Sequence, residues 1–367
     1  MSRVTFNNKN NAFYTSLKTR VENYFTSNNI KRTGNWKLYS KALILVGSAA
    51  VIYIVLLTVS MPPLPAILLS CLLGSILASI GFNMMHDACH GSYSSRKWAN
   101  KLVGYSLNAL GGNEFIWKVK HNTLHHTYTN IDGIDNDIEK SPLMRLCSSQ
   151  KWVPAHRFQY IYVVLVYAIS SFAWVSILDF YRYFKHKVSN TALQKMSMQE
   201  HIIFWLSKVL YAVFYIAIPV LFVGWGPWAV GFAFMHIAMG LVLALVFQLA
   251  HVVEHVEFEA VAGLEHKVIE NEWAIHQVIS TSNFAPDNFF VNWYVGGLNY
   301  QIEHHLFPRV SHVHYPAISN IVKQSCKEFN LPYNSFGTMR GAMISHFRMM
   351  KQLGRKPKEM RNIAALA

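Results

Sequence analysis

Four apolar runs of about twenty residues, 42–60, 66–85, 202–222 and 229–250, punctuate an otherwise polar chain, and runs of that length are candidate membrane spans. The first two are separated only by Met61-Pro62-Pro63-Leu64-Pro65, and the last two by Gly224-Trp225-Gly226-Pro227. Each pair therefore predicts a helical hairpin with a tiny loop on one side. Lys208 falls near the start of the third run, close enough to the interface to snorkel. A fifth apolar stretch, 158–181, is rich in tyrosine and carries Trp174. The hairpin pairing leaves it without a partner, so it reads as an interfacial or amphipathic helix rather than a crossing. Hydropathy alone does not exclude a five-span arrangement.

Histidines cluster where these runs meet polar sequence: His86-Asp87-Ala88-Cys89-His90, His121-Asn122-Thr123-Leu124-His125-His126 and Gln301-Ile302-Glu303-His304-His305. On a helix, positions i, i+3 and i+4 share a face. His86 with His90, and Gln301 with His304 and His305, have that spacing, while His121, His125 and His126 fit with a small fan. Seven imidazoles and one amide are too many for one metal ion but suit two, and imidazole accepts zinc, copper, iron or nickel. A lone histidine near a span end is usually a hydrogen-bonded interfacial residue; three paired clusters are not explained that way.

Parity ties the boxes to the spans. Box one follows the second run and box three follows the fourth, so a shared site requires both ends on one side. At the end of the fourth run, His251 and His255 again stand four apart. Either could join the cluster, with His251, at the span's edge, favoured. Asp87, Glu254 and Glu303 sit beside these histidines and could accept a second ring N–H, as could His255 from the outer shell. The alternative for the acids is simple exposure on a polar surface.

Composition agrees with a membrane protein. Of 367 residues, 52% are hydrophobic and only 14% charged, with a mean hydropathy of +0.19. The net charge is +14, and neither hairpin loop carries a lysine or arginine. The positive-inside rule then places the box segments and both termini in the cytoplasm. Topology and anionic lipid account for the basic excess; no compact nucleic-acid recognition motif accompanies it. The four scattered cysteines form no Cys-x-x-Cys pair, which argues against a disulfide framework or thiolate metal site. The expected organisation is an N-terminal segment, 1–40, with a surface helix built on Phe13, Leu17, Val21 and Tyr24. A single membrane domain, 41–350, and a basic tail, 351–367, follow.

The strings HDACHGSYS, HNTLHHTYTNIDGIDNDI and NWYVGGLNYQIEHHLFP resemble the membrane fatty acid desaturases over nearly the whole chain. The glutamine opening the third box resembles the front-end branch, which places a double bond between an existing one, or a fixed position, and the carboxyl end. The resemblance implies an all-α integral membrane fold with four spans in two hairpins and a cytoplasmic helical cap holding a di-iron centre. It further implies O2-dependent removal of two hydrogens from an acyl chain. Carried onto this sequence, the ligand set is His86, His90, His121, His125, His126, His251, Gln301, His304 and His305, with Gln301 binding directly, through water or not at all.

Other expectations follow from the same reading. Many eukaryotic front-end relatives carry a fused cytochrome module with a His-Pro-Gly-Gly motif, and this sequence contains no His-Pro pair. Electrons are then expected from an external ferredoxin or small cytochrome docking on the basic face, and a bacterial inner membrane is the expected location. A bent apolar tunnel must hold the acyl chain, with Trp117, Trp152, Phe284, Phe289, Phe290, Trp293 and Tyr294 as candidate walls, although such residues are more often core packing than substrate contacts. Lys118, Lys120, Arg182, Lys185 and Lys187 could meet a coenzyme A or lipid phosphate, which leaves acyl-CoA and acyl-lipid substrates both open. The competing activities are a membrane hydroxylase using the same boxes and, more remotely, a zinc-dependent membrane hydrolase.

Overall fold

A computed structural model describes residues 3–139, 142–189, 191–261 and 266–357. Five of its helices are long and apolar enough to cross a membrane: Trp36–Thr58, Pro63–His90, Pro154–Lys185, Met198–Val223 and Trp225–His251. The expected runs 66–85, 202–222 and 229–250 lie inside three of them, which extend further at both ends, whereas the first helix starts six residues before the run 42–60 and stops at Thr58, two residues short of its end. Their starts are set by local chemistry. The Asn35 side chain accepts from the Lys37 N–H, and Ser197 with Glu200 forms a reciprocal capping box. Pro63 and Pro65, expected in a loop, instead occupy the first helical turn, where a missing N–H costs nothing. Only Gly224, at φ +81°, separates the last two helices, a conformation that glycine takes without strain. Leu43, Leu64 and Leu221 are more than half exposed, as expected of helices whose outer faces meet lipid. This is a membrane protein.

The helices Pro63–His90 and Trp225–His251 form the centre of the bundle. They cross so closely at Gly74 that a Cβ there would lie 2.0 Å from the Met235 carbonyl oxygen, so no other residue fits without a backbone shift. Leu45, Leu77, Ile80, Met239, Val246 and Leu249 fill the core around this crossing.

The fifth apolar stretch is longer than expected and is not free of the bundle. Val163, Tyr167, Ser171 and Val175 are buried, and Gly240 of the last helix passes against the Tyr167 and Ala168 carbonyls. A π-helical turn at Trp174–Leu178 interrupts it, a common place for a bend. At one end His156 Nε2 lies 2.8 Å from the Pro142 carbonyl. Just beyond the other end, Ser189 donates to Glu139. Drawn straight, 32 residues would reach roughly 48 Å, whereas residues 139 and 142 are at most about 10 Å apart along the chain. Both ends therefore sit beside the same loop, the one that follows the second histidine box.

Lys208 does not snorkel. It is buried, and its ammonium donates to the Gly111 and Val175 carbonyls at 2.6 and 2.9 Å and pairs with Asp179 at 3.4 Å. The bent helix supplies the anion that makes burial tolerable.

The N-terminal helix, Ala12–Ser27, buries Phe13, Leu17, Val21 and Phe25 against the helix Tyr315–Glu328. The expected surface helix is thus part of the cap, and Phe25, continuing the i+4 row, replaces Tyr24 on the buried face. The all-helical expectation needs a small amendment, since among the described residues four pairs of short strands staple the cap. In one, Arg3–Phe6 runs parallel to His266–Ile269. Most of the expected basic tail, 358–367, lies outside the described residues. The cysteines are unpaired, and Cys89 packs with Met85, Leu107 and Trp117.

Candidate metal centre

Each box reaches the centre by a different local device. The Pro63–His90 helix passes through a π-helical turn, Gly81–Met85, straight into His86–His90, and Gly91 at φ +76° ends it. Box two is itself largely π-helical, Val119–His125, entered from a short helix capped by the Asn113 side chain. The wider turn bonds the His126 N–H to the His121 carbonyl, which lets His121, His125 and His126 all face inward, and π turns of this kind recur at functional sites. Box three is the short helix Gln301–Leu306, preceded by Gly296 and Gly297 at positive φ. A Cβ on Gly296 would sit 2.8 Å from the Phe82 carbonyl, so this glycine lets box three lie directly against the helix of box one.

The imidazoles converge. Ring nitrogens of His86, His90, His121 and His304 lie within 4.8 Å of one another, as do those of His125, His251 and His305, and of His126, His304 and His305. The result is two nests sharing a border. His251, the last residue of its helix, turns inward, whereas His255 is exposed at φ +75° and takes no part.

Their hydrogen bonding is one-sided. His125 Nδ1 lies 3.0 Å from Asp135, His304 Nδ1 3.1 Å from the Tyr315 hydroxyl, and His305 Nδ1 2.9 Å from Gln277 Oε1. Their Nε2 atoms, with His90 Nε2, His126 Nδ1 and both nitrogens of His251, are buried without a partner. His121 Nε2 faces both His86 Nε2 at 3.1 Å and His126 Nε2 at 3.2 Å, and one ring nitrogen cannot satisfy both by hydrogen bonding. Buried polar atoms are nearly always paired. A set of bare inward imidazole nitrogens, with the outer nitrogens of His125, His304 and His305 held by Asp135, Tyr315 and Gln277, is the donor chemistry of a transition-metal site.

Electrostatics keep those lone pairs available. Burial, reinforced by neighbouring imidazoles, holds His121, His126, His304 and His305 well below the usual histidine range. His125 differs: burial lowers it, but the Asp135 charge and hydrogen bond, with Asp137, outweigh that and raise it. The Asp135 pair thus makes His125 the most basic of the box-two rings.

A profile of the fatty acid desaturase family matches residues 61–337. This chain belongs to that family. It is 36% identical to an sn-1 linoleoyl-lipid 6-desaturase of Arthrospira platensis over 97% of this chain and 96% of that one. It is 35% identical to an enzyme of the same description from Synechocystis, over 96% and 98%. An acyl-lipid (8-3)-desaturase of Physcomitrium patens is 34% identical, over 94% of this chain and 72% of its own length. The chain is therefore an oxidoreductase, a fatty acid desaturase of lipid metabolism.

Within this desaturase the flanking acids do not do what adjacency suggested. Asp87 accepts from Ser311 at 2.6 Å and lies 3.1 Å from His312 Nδ1. Glu303 accepts from Asn283 and Tyr333, both at 2.8 Å, while burial pushes its carboxyl up to about 7. Glu254 is half-buried, and its backbone N–H donates to Ser345. For Asp87 and Glu303 the reason is geometric, since a helical neighbour points about 100° away from the residue beside it, and Glu254 lies beyond the helix that ends at His251. The groups that do hold ring nitrogens include Asp135, Gln277 and Tyr315, with the Thr129 hydroxyl 3.1 Å from His305 Nδ1 beside Gln277. Of these, Asp135 and Thr129 stood in the box-two string, Asp135 ten residues after His125, and Gln277 and Tyr315 carried no local signal. The Gln301 amide nitrogen donates to the Leu298 carbonyl at 2.8 Å, on the box-three face shared with His304 and His305.

The expected tunnel walls scatter. Trp117 stacks on His121 with ring centroids 4.3 Å apart. Phe284 is core, and Trp293 and Tyr294 pack beside it. Trp152 donates to the Gly354 carbonyl, away from the rings, and Phe289 and Phe290 are 69% and 80% exposed; none of these three lines a tunnel. Phe82 and Phe247, not anticipated, close the membrane side beneath His121. Among the basic residues, Lys118 pairs with Glu114, Lys120 with Asp137, and buried Arg182 with Asp179. Only Lys185 and Lys187 of that group are exposed without an acidic partner described.

Proposed function

We propose that the chain is a front-end acyl-lipid desaturase whose two histidine nests hold two irons. The observation that carries this reading is the pair of adjoining nests with unpartnered, buried imidazole nitrogens. His86, His90 and His121 belong to one ion, His125, His251 and His305 to the other, and His126 and His304 stand at the border. Gln301 tunes the centre. The iron supplies the O2-derived oxidizing power that an unactivated methylene requires.

The chain's own residues supply the rest. Asp135, Gln277 and Tyr315 fix the ring orientations, and Trp117, Phe82 and Phe247 keep water from the membrane side of the rings. The front-end assignment and the acyl-lipid substrate draw support from Gln301 and from the names of the relatives. Balance requires two electrons and two protons beyond the two hydrogens of the acyl chain, so that O2 leaves as two waters. A reduced ferredoxin or small cytochrome is the proposed donor, steered by the +14 charge. We assign four crossings, with Pro154–Lys185 entering the membrane region and returning to the box side, because both its ends meet one loop. The positive-inside rule puts that side in the cytoplasm.

The test is metal analysis, O2 uptake and product analysis on the purified protein. About two irons per chain and an olefin are expected. A single zinc without iron in an active preparation overturns the di-iron reading, and an alcohol product overturns desaturation.

A further inference from the structure

Three adjoining cavities run along the Met198–Val223 helix. A small polar pocket of ≈ 70 Å³ includes Lys101, Tyr105, Glu114, Gln199 and Glu200. It shares Tyr105, Asn108 and Ile203 with an apolar cleft of ≈ 800 Å³. That cleft shares Tyr53, Leu73 and Tyr215 with a second apolar cavity of ≈ 340 Å³ at the hairpin-loop end. The large cleft is open sideways, since Val46, Leu206, Leu210 and Phe214 on its walls are 45–53% exposed.

The dimensions choose the occupant. From Met84 to Leu73 the cleft follows the second span for about 16 Å, and from Ile203 to Tyr215 it follows the third for about 18 Å. A bilayer's hydrocarbon is about 30 Å thick, so the cleft has the depth of one leaflet, on the histidine side. A polar pocket over a one-leaflet apolar cleft fits a single acyl chain hanging from a headgroup. No box histidine lines the cleft, and Met85, Cys89, Leu107 and Trp117 pack together, with Trp117 stacked on His121.

We propose that this cleft seats the non-reacting acyl chain of a diacyl glycerolipid whose headgroup lies at the Tyr105 pocket, leaving the lipid's other chain to the metal centre. The inference rests on the acyl-lipid reading above and extends it. It makes the cleft a device for selecting two-chain lipids over single-chain substrates such as acyl-CoA.

The test uses the full-length protein in phosphatidylcholine vesicles containing a trace of diacyl phosphatidylcholine with a diazirine in mid-chain. Photolabelling is expected to concentrate in segments 46–53, 80–84 and 203–215. Ala50→Trp and Ala109→Phe, which fill the cleft from its two exposed small residues, should remove that labelling. In the active enzyme they should raise the KM for diacyl lipid about tenfold, the cost of a few displaced methylenes, with kcat little changed. Val51→Trp, on the same helix but outside the cleft, is the matched control. Labelling spread evenly over lipid-facing positions such as Leu43, Leu68 and Leu165, or unaltered by both filling variants, overturns the proposal. Labelling needs no turnover. Scattered labels in an active desaturase therefore break only the cleft assignment, whereas concentrated labels on a protein inactive toward lipids break only the acyl-lipid reading.

Discussion

His346 and His251 are both buried and lie on either side of the Val252 peptide, yet the fold treats them oppositely. His346 is fully paired, its Nδ1 2.7 Å from the Val252 carbonyl and its Nε2 2.9 Å from the Tyr167 hydroxyl. His236, deep in the bundle, is likewise held by Ser171 at one nitrogen and Tyr211 at the other. His251 makes no well-formed hydrogen bond at either nitrogen, with the Ser280 backbone close by, and the box histidines around it keep at least one inward nitrogen bare or facing another imidazole. Neutral imidazole offers one donor and one acceptor, and this chain can satisfy both where the role is structural. Leaving several inward nitrogens unsatisfied in one place would cost roughly 1–3 kcal/mol each without a ligand. Among these histidines burial does not separate the two roles; hydrogen-bond completeness does.

The sharpest way to break that comparison is to remove one bare ring. His125→Ala and His304→Ala are each expected to abolish desaturation and lower iron per chain while membrane insertion and helix content persist. Near-normal product from both variants would mean that the nests are structural after all.

The next effect lies one bond further out. Asp135→Asn keeps the shape but weakens the hold on His125 Nδ1, 3.0 Å away. Loss of such an outer partner typically costs 10- to 100-fold in metal affinity, so a fall of about that size in a chelator competition is expected. Asp87→Asn, despite its place inside box one, should leave metal affinity far less altered, because its carboxylate serves Ser311 and His312. Equal losses in the two variants would show that adjacency in sequence, not the observed contacts, governs the site.

That contrast also marks what the sequence could carry. Spans and boxes were legible because each is a local periodicity: twenty apolar residues, or histidines spaced to share a helical face. His251 was separable from His255 only as an edge effect, which the helix end at His251 then decides. Asp135, Gln277 and Tyr315 find their histidines through tertiary contacts across 10, 28 and 11 residues of chain, which no fixed spacing encodes. The bend of Pro154–Lys185 was hidden for a related reason, since its ends are placed by Glu139 and Pro142 rather than by its own hydropathy. Phe289 and Phe290 misled because aromatic character alone does not tell a tunnel wall from an exposed surface.

Gln301 probes the border between the two classes. Its amide nitrogen is already spent on the Leu298 carbonyl, and an amide oxygen is a weaker donor to iron than an imidazole. Gln301→Ala is expected to lower product yield about tenfold while most iron remains, a kcat effect rather than a loss of the centre. Gln301→His should stay metal-loaded with altered or absent activity. Iron falling in step with activity in the alanine variant would make Gln301 a firm ligand.

The smallest effect on chemistry should come from the paired class, and it is the control on which the comparison stands. His346→Leu removes a ring of similar bulk and leaves the Tyr167 hydroxyl and the Val252 carbonyl without their partner. An unsatisfied buried group costs about 1–3 kcal/mol, so a lower thermal midpoint and less folded protein are expected. Iron per folded chain and turnover per iron should stay at the wild-type level, because no nitrogen of His346 faces the nests. A Tyr167→Phe change in the same background should recover part of the stability by removing the orphaned hydroxyl. If His346→Leu instead strips iron while the protein stays folded, a fully hydrogen-bonded histidine is feeding the centre through Val252 and His251. Hydrogen-bond completeness would then fail as the mark of a structural histidine in this fold.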